Sequence, residues 1–204
     1  MINPLQIVGA AVLAVCQSVG RIVFFASKAI GNGVAGPFYG RQLLRQMIEI
    51  GYYSLPVVGL TAIFTGMVLA LQSYTGFQRF QAQSAIPTIV VLSVVRELGP
   101  VLAGLMVAGR VGAAMAAELG TMRVTEQIDA LATLSTDPMR YLVFPRLIAG
   151  LIALPLLVVV ANIIGVMGGF LVSVYKLGFS PHDYLNRTFD YLEIMDVVSG
   201  LVKA

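Results

Sequence analysis

The sequence predicts an all-α integral membrane protein, and its composition and three long apolar segments carry this prediction. Hydrophobic residues make up 58% and charged residues 11% of the 204 residues, whereas soluble domains carry about 25% charged residues. Residues 50–78 and 147–175 contain no charged residue, and residues 80–109 contain only Arg96 and Glu97. Each segment exceeds the roughly 20 residues that cross about 30 Å of hydrocarbon as a helix. Three complete spans are therefore expected.

The N-terminal segment is predicted to be an amphipathic helix lying in the membrane interface, over about residues 5–28. Its polar residues, among them Gln6, Gln17 and Arg21, fall largely on one side of the helix. The apolar residues recur on the other side at alternating steps of three and four: Leu5, Val8, Val12, Val15, Val19, Ile22 and Ala26. An interfacial position suits such a helix. A membrane span is the alternative, whereas a signal peptide is disfavoured because no basic residue precedes the apolar stretch.

Two regions follow from this pattern. Residues 1–49 hold the interfacial helix and a short amphipathic connector at about 42–49, and residues 50–204 form the transmembrane region. The last apolar stretch, 191–204, begins a fourth span but is too short to cross a bilayer. We therefore expect the polypeptide to continue beyond it. The three complete spans are expected at about residues 52–74, 87–118 and 147–175.

Basic residues orient the chain across the membrane. Cytoplasmic loops carry an excess of Lys and Arg, and the loops on the opposite side carry only Arg79, Lys176 and Arg187. The N-terminus and residues 110–146 are therefore expected in the cytoplasm. These flanking residues also account for the net charge of +3, which gives no indication of nucleic-acid binding. The basic residues assigned to the cytoplasm are Arg21, Lys28, Arg41, Arg45, Arg110, Arg123, Arg140 and Arg146.

Arg96 and Glu97 are the candidate functional residues within the membrane. They lie about nine residues after Pro87, roughly 14 Å deep, where each charge costs about 3 kcal/mol on insertion scales. Adjacent residues of a regular helix point about 100° apart, so the two side chains are not expected to face one partner. Pro100 and Gly99 should kink the helix and open a polar cavity beside the charges. Alternatively, the charges pair with another helix and stabilise the bundle.

Small residues recur every four positions along the second span. Such a stripe lets another backbone approach closely in lipid. Packing within the subunit is the favoured use, and packing between subunits is the alternative. Gly165, Gly169 and Ser173 repeat the pattern on the third span. The stripe on the second span comprises Gly104, Ala108, Gly112, Ala116 and Gly120.

The cytoplasmic segment contains a predicted short amphipathic helix. Thr125 is a candidate N-cap, and Glu126 in the first turn would interact favourably with the helix dipole. Ile128, Leu131 and Leu134 then form one apolar edge. A helix of this kind suits docking into a groove on a soluble protein. A surface helix resting on lipid headgroups is the alternative.

Three stretches together resemble the MlaE permease family. They are GMVLALQ at 66–72, the run from RELGP to EQIDAL at 96–131, and DPMRYLVFPR at 137–146. Members of this family are the membrane subunits of bacterial ABC transporters that move phospholipids between the inner and outer membranes and maintain outer-membrane lipid asymmetry. The resemblance extends from about residue 42 to residue 204.

The resemblance implies a homodimer in the bacterial inner membrane, with an interfacial helix and five spans in each subunit. It also implies two cytoplasmic ATPases, which bind the ATP and Mg²⁺, and a periplasmic MCE-domain protein. This chain would itself be neither an enzyme nor the holder of a cofactor or metal. Arg96 and Glu97 would lie near the lipid-binding cavity, whose wall would include Met67, Leu71 and Tyr74. The residues implied to couple to the ATPase, within residues 118–146, are Glu118, Gly120, Thr125, Glu126, Ile128, Asp129 and Leu131.

Two other functions are alternatives to the ABC permease. One is a proton-coupled secondary transporter in which Glu97 is the protonated switch, and the other is a membrane scaffold that transports nothing. A secondary transporter has no need of an acidic docking helix, and a scaffold has no need of charges inside the membrane. The sequence contains no G-x-x-x-x-G-K-[ST] motif, so ATP hydrolysis is expected on a separate polypeptide.

Overall fold

The computed structural model describes residues 4–34, 39–80 and 83–204, and these residues form helices and short connections without any strand. Two five-residue π-helical segments, Val94–Leu98 and Met139–Val143, interrupt the α-helical geometry. The α-helices are α1 (Pro4–Val34), α2 (Gly40–Ile50), α3 (Leu55–Phe77), α4 (Ile86–Ser93), α5 (Gly99–Val124), α6 (Gln127–Thr133), α7 (Phe144–Tyr175), α8 (Pro181–Asp190) and α9 (Ile194–Lys203).

Among the described residues, four helical segments are long and apolar enough to cross a membrane. Three of them, Gly40–Phe77, Ile86–Val124 and Met139–Tyr175, confirm the three predicted spans and extend each of them. The fourth, Gly9–Gly31, lies within α1, and none of its apolar window is buried in the subunit. Length and composition thus allow α1 to cross the bilayer, and its interfacial position stays a prediction. The chain is a multi-pass, all-α membrane protein.

Close contact between α3 and α7 forms the centre of the bundle. A Cβ placed on Gly66 would lie 1.8 Å from the carbonyl oxygen of Gly165, and one on Gly168 would lie 2.3 Å from that of Ile63. Only glycine allows backbones to approach this closely. A Cβ placed on Gly169 would lie 2.6 Å from Cγ1 of Val90 on α4, so this glycine packs closely against a neighbouring helix as well. The small residues predicted on the third span therefore pack within the subunit.

The small-residue stripe on α5 behaves differently. A Cβ placed on Gly104, Gly112 or Gly120 meets no atom within 4 Å, and Ala108 and Ala116 are exposed. The favoured interpretation, packing against a helix of the same subunit, is therefore not observed in the part of the chain that the structure describes. The opposite edge of α5, including Ala103, Val107 and Val111, packs against the core instead. The stripe itself faces outward.

The short helix α6 begins later than the sequence predicted. Thr125 does not cap it, because its Oγ1 donates to the carbonyl of Thr121 at 2.8 Å and the residue ends α5. Glu126 precedes α6 in a left-handed conformation, at φ 58°. The chain therefore turns sharply between α5 and α6, and this turn takes the place of the predicted Thr cap. No residue of α6 is buried.

Candidate functional site

The intramembrane charges lie in a π-helical segment rather than in a regular helix. Pro100 has no N–H to donate to the carbonyl of Arg96, four residues earlier. The helix adapts by widening, and the N–H of Gly99 donates to the carbonyl of Val94, five residues back. Segments of this type often occur at functional sites. The predicted break at Gly99 and Pro100 is thus a local π-helix.

Arg96 forms an ion pair with Asp196 of α9. Its Nη2 lies 2.5 Å from Asp196 Oδ1, and its Nε donates to the same oxygen at 2.7 Å. The Asp196 side chain is only 6% exposed, whereas about half of the Arg96 side chain is accessible. Asp196 Oδ2 also accepts from the backbone N–H of Glu193 at 3.3 Å, which caps α9. One carboxylate therefore fixes both the arginine and the start of α9.

Glu97 forms a second ion pair with the same helix. Lys203 Nζ lies 2.5 Å from Glu97 Oε1 and also donates to the carbonyl oxygen of Arg96 at 3.1 Å. This is the carbonyl that Pro100 leaves without its usual partner. Both Glu97 and Lys203 are largely accessible. Arg96 and Glu97 therefore pair with two different residues, Asp196 and Lys203, and both of these residues lie on α9.

Gly200 lets α9 cross the π-helical segment at very short range. A Cβ at this position would lie 2.4 Å from the carbonyl oxygen of Val95. Asp196 lies one turn before Gly200 and Lys203 nearly one turn after it, so this crossing places one ion pair on either side. We call Arg96, Glu97, Asp196 and Lys203 the charged cluster. It contains two cations and two anions, and its accessible side faces out of the described subunit.

A second glycine supports the back of the π-helical segment. A Cβ on Gly99 would lie 1.8 Å from Oδ1 of Asn162, a buried residue in the middle of α7. The amide of Asn162 therefore packs directly on the backbone of Gly99. This contact holds the π-helical segment against α7 and leaves the charged side chains on the opposite side.

An apolar cavity of about 490 Å³ lies beside the charged cluster. Val95 and Val197, the chain neighbours of Arg96 and Asp196, contribute to its wall, and the face of α7 from Val159 to Phe170 forms another side. Tyr184 of α8 lines it as well, and burial raises the pKa of this phenol to about 12. Tyr184 is therefore uncharged at neutral pH, and no titrating group adds charge to this wall.

The predicted wall residues of α3 lie toward the outer end of that helix. Tyr74 makes an edge-to-face contact with Phe179, with ring centroids 6.3 Å apart. Met67 and Leu71 are half-buried on the same helix. A role of these three residues in contacting cargo stays a prediction.

The predicted coupling residues lie in and around α6. Asp129 pairs with Arg123 at 2.8 Å, and both side chains are more than 60% exposed. Ile128 and Leu131 are half-buried, and Leu134 is exposed. The apolar edge of α6 is thus only partly covered in the described chain, and accessible apolar surface of this kind suits docking into a groove. Glu118 contacts a different partner, Arg146, at 2.5 Å.

Sequence reasoning identified one half of the charged cluster and missed the other. Asp196 and Lys203 lie about 100 residues after their partners in the chain. The signal that marks them is the presence of charged residues in an otherwise apolar stretch, spaced seven residues apart on one face of a helix. The sequence pattern marks Arg146 only as a basic flanking residue, whereas the structure buries its side chain beside Glu118.

Several helices long enough to span a membrane, and a charged cluster where one of them meets α9, are features of the membrane subunit of a transporter. The sequence comparisons identify the family. The chain belongs to the MlaE permease family, because the family model described as Permease MlaE matches residues 43–204. This membership does not favour the secondary transporter or the scaffold.

Individual relatives agree with this assignment. A "Probable ABC transporter permease protein" of Rickettsia bellii is 58% identical over 204 residues, which cover 100% of this chain and 79% of the relative. A protein with the same description from Synechocystis is 42% identical over 181 residues, covering 89% of this chain and 69% of the relative. The "Intermembrane phospholipid transport system permease protein MlaE" of Haemophilus influenzae is 34% identical over 205 residues, covering 100% and 78%.

Proposed function

We propose that this chain is the transmembrane permease subunit of an ABC transporter that moves phospholipids between the inner and outer membranes of a bacterium. The observation that carries the proposal is the charged cluster, placed on an accessible face of the membrane-spanning bundle of an MlaE-family chain. The Haemophilus relative, named for intermembrane phospholipid transport, supports this cargo. The transport would maintain the lipid asymmetry of the outer membrane.

The charged cluster has the chemistry to recognise a phospholipid headgroup. A zwitterionic headgroup carries a phosphate, which Arg96 or Lys203 can bind, and an ammonium group, which Glu97 can bind. Each protein ion pair has an accessible member, so a headgroup can replace the partner of that member. The adjacent cavity of about 490 Å³ is within the roughly 300–1,000 Å³ of small-ligand sites and offers an apolar surface to an acyl chain.

The cytoplasmic side supports coupling to a separate ATPase. The accessible apolar edge of α6 suits a groove on a soluble protein, with Glu126 and Asp129 providing charge at its border. In this arrangement ATP and Mg²⁺ are bound by the ATPase, and this chain contributes no catalytic residue. The basic residues of the N-terminus and of residues 110–146 support a cytoplasmic position for both.

The outward stripe on α5 supports a homodimer. Gly104, Gly112 and Gly120 have open space beside them, and a second helix in lipid packs best on such small residues.

On the opposite side of the membrane, an MCE-domain protein would receive or deliver the lipid. The complete assembly would then contain two permease chains, two ATPases and the MCE-domain partner in the inner membrane.

The test is reconstitution of the full-length permease with its ATPase in liposomes that carry a fluorescent phospholipid. Transfer of the lipid to MCE-domain protein should require ATP. Glu97→Gln should reduce transfer about tenfold or more, which corresponds to roughly 1.4 kcal/mol, while Asp190→Asn on α8 should leave it unchanged. Transfer that is independent of ATP but follows a proton gradient would favour the secondary transporter and overturn the proposal.

A further inference from the structure

An ion pair joins the two ends of the cytoplasmic segment. Glu118 lies near the end of α5 and Arg146 lies in the first turn of α7, 28 residues later, and Arg146 Nη2 approaches Glu118 Oε2 to 2.5 Å. Between them the chain passes through α6 and the π-helical segment Met139–Val143. The pair therefore closes a loop that contains the whole predicted docking element.

The burial of Arg146 distinguishes this pair from an ordinary surface contact. The Arg146 side chain is 6% exposed, while that of Glu118 is 53% exposed. Nε and Nη1 of Arg146 are buried and have no hydrogen-bond partner among the described residues, so the guanidinium depends on Glu118. Removing one member of such a pair leaves a buried charge without compensation. Arg123 and Asp129 form a pair in the same segment that is exposed on both sides and contributes little.

The tie matters because the segment contains points where movement can be absorbed. Glu126 and Ser135, on either side of α6, both have left-handed backbone conformations at φ 58°. The π-helical segment Met139–Val143 ends directly before α7, and such interruptions of α-helical geometry are frequent at functional sites. A force applied to α6 alone would deform these points. With Glu118 held at Arg146, the ends of α5 and α7 must move together.

A second contact extends the tie to the first span. Arg110, two turns before Glu118 on α5, donates to the hydroxyl of Ser54 at 2.9 Å. Ser54 is buried at the start of α3. Movement of the cytoplasmic end of α5 is therefore passed to α3 as well as to α7. The charged cluster lies further along the same spans.

We propose that the Glu118–Arg146 ion pair is a clasp that passes movement of α6 to α5 and α7 as one unit, with Arg146 as a positioning residue for lipid movement. This rests on the proposed function, since it requires an ATPase docked on α6. The clasp does not contact lipid or nucleotide. Its loss should leave docking and ATP hydrolysis in place and reduce the lipid moved for each ATP hydrolysed.

The experiment measures this ratio in proteoliposomes that contain the full-length permease and its ATPase, with a fluorescent phospholipid as the probe. Arg146→Gln should lower the ratio about fivefold or more while the ATPase still co-purifies and hydrolyses ATP. The matched control, Arg187→Gln, removes an exposed arginine contact on α8, the hydrogen bond from Arg187 to the carbonyl of Ser84, and should stay within about twofold of the unaltered protein. Exchange of the two charges, Glu118→Arg with Arg146→Glu, should recover about half of the ratio or more.

The other possible results of this experiment contradict either the clasp or the proposed function. An unchanged ratio in Arg146→Gln, or a folded charge exchange that recovers nothing, would overturn the clasp. Failure of the unaltered protein to bind ATPase or move lipid would instead count against the proposed function. Arg146→Met, which fills similar space without charge, replaces Arg146→Gln if that variant does not fold. If neither variant folds while Arg187→Gln does, the pair serves folding and the clasp is wrong.

Discussion

At the scale of single residues, the site depends on two glycines as much as on its charged side chains. Gly200 permits α9 to lie against the carbonyl of Val95, and Gly99 permits Asn162 to lie against the π-helical segment. Charged residues inside a membrane are costly unless they find partners. The glycines bring those partners close enough, so the charge pattern and the glycine positions form one structural unit.

The first prediction concerns Gly200→Ala. The new Cβ would lie 2.4 Å from the carbonyl oxygen of Val95, so α9 must move away and lengthen both ion pairs. Overpacking of this kind costs roughly 1–3 kcal/mol, and we expect a lower melting temperature of the purified protein in detergent. Gly150→Ala is the matched control, because a Cβ there meets nothing within 4 Å. Equal melting temperatures for the two variants would contradict the close crossing.

At the scale of elements, the spans could be predicted from the sequence but the partners of the functional residues could not. Apolar length alone identified the three confirmed spans, and the cost of intramembrane charge marked Arg96 and Glu97. Their pairing with Asp196 and Lys203 depends on α9 returning to the π-helical segment about 100 residues later. Local sequence does not encode that return. The prediction that Thr125 caps α6 was wrong for a local reason, because Glu126 adopts a left-handed conformation and the chain turns there.

The second prediction concerns α6. Reversing two charges, Glu126→Lys with Asp129→Lys, should release the ATPase from the permease during co-purification, because the charged border of the docking edge changes sign. The fold should persist, since α6 buries no residue and the exposed pair of Asp129 with Arg123 is worth about 1 kcal/mol at most.

A matched charge change isolates the effect of position. Asp183→Lys with Asp190→Lys alters the net charge equally but lies on α8, on the other side of the membrane in the proposed orientation. This variant should retain the ATPase. Release of the ATPase by both double variants would show that total charge, rather than the α6 surface, governs association.

At the scale of the whole molecule, the subunit has two kinds of small-residue surface with different roles. On α7, the stripe residues Gly165 and Gly169 face the backbone of α3 at Ala62 and Gly66, so this stripe packs within the subunit. On α5, the same pattern is left open in the described residues. The spacing of small residues is the same in the two helices. A period of four shows only that one helix face carries small side chains, so it does not distinguish the two cases. Which helix covers it depends on the arrangement of all spans.

The last prediction tests what covers the α5 stripe. Gly112→Leu should leave the subunit folded, since a Cβ there meets nothing within 4 Å and leucine is a better helix former than glycine. If a second copy packs on the stripe, the larger side chain will separate the two helices and reduce the dimer fraction in native mass spectrometry. Gly109→Leu is the control, because Gly109 is equally open but lies about 100° around the helix from Ala108. A dimer that tolerates Gly112→Leu as well as Gly109→Leu must use another surface.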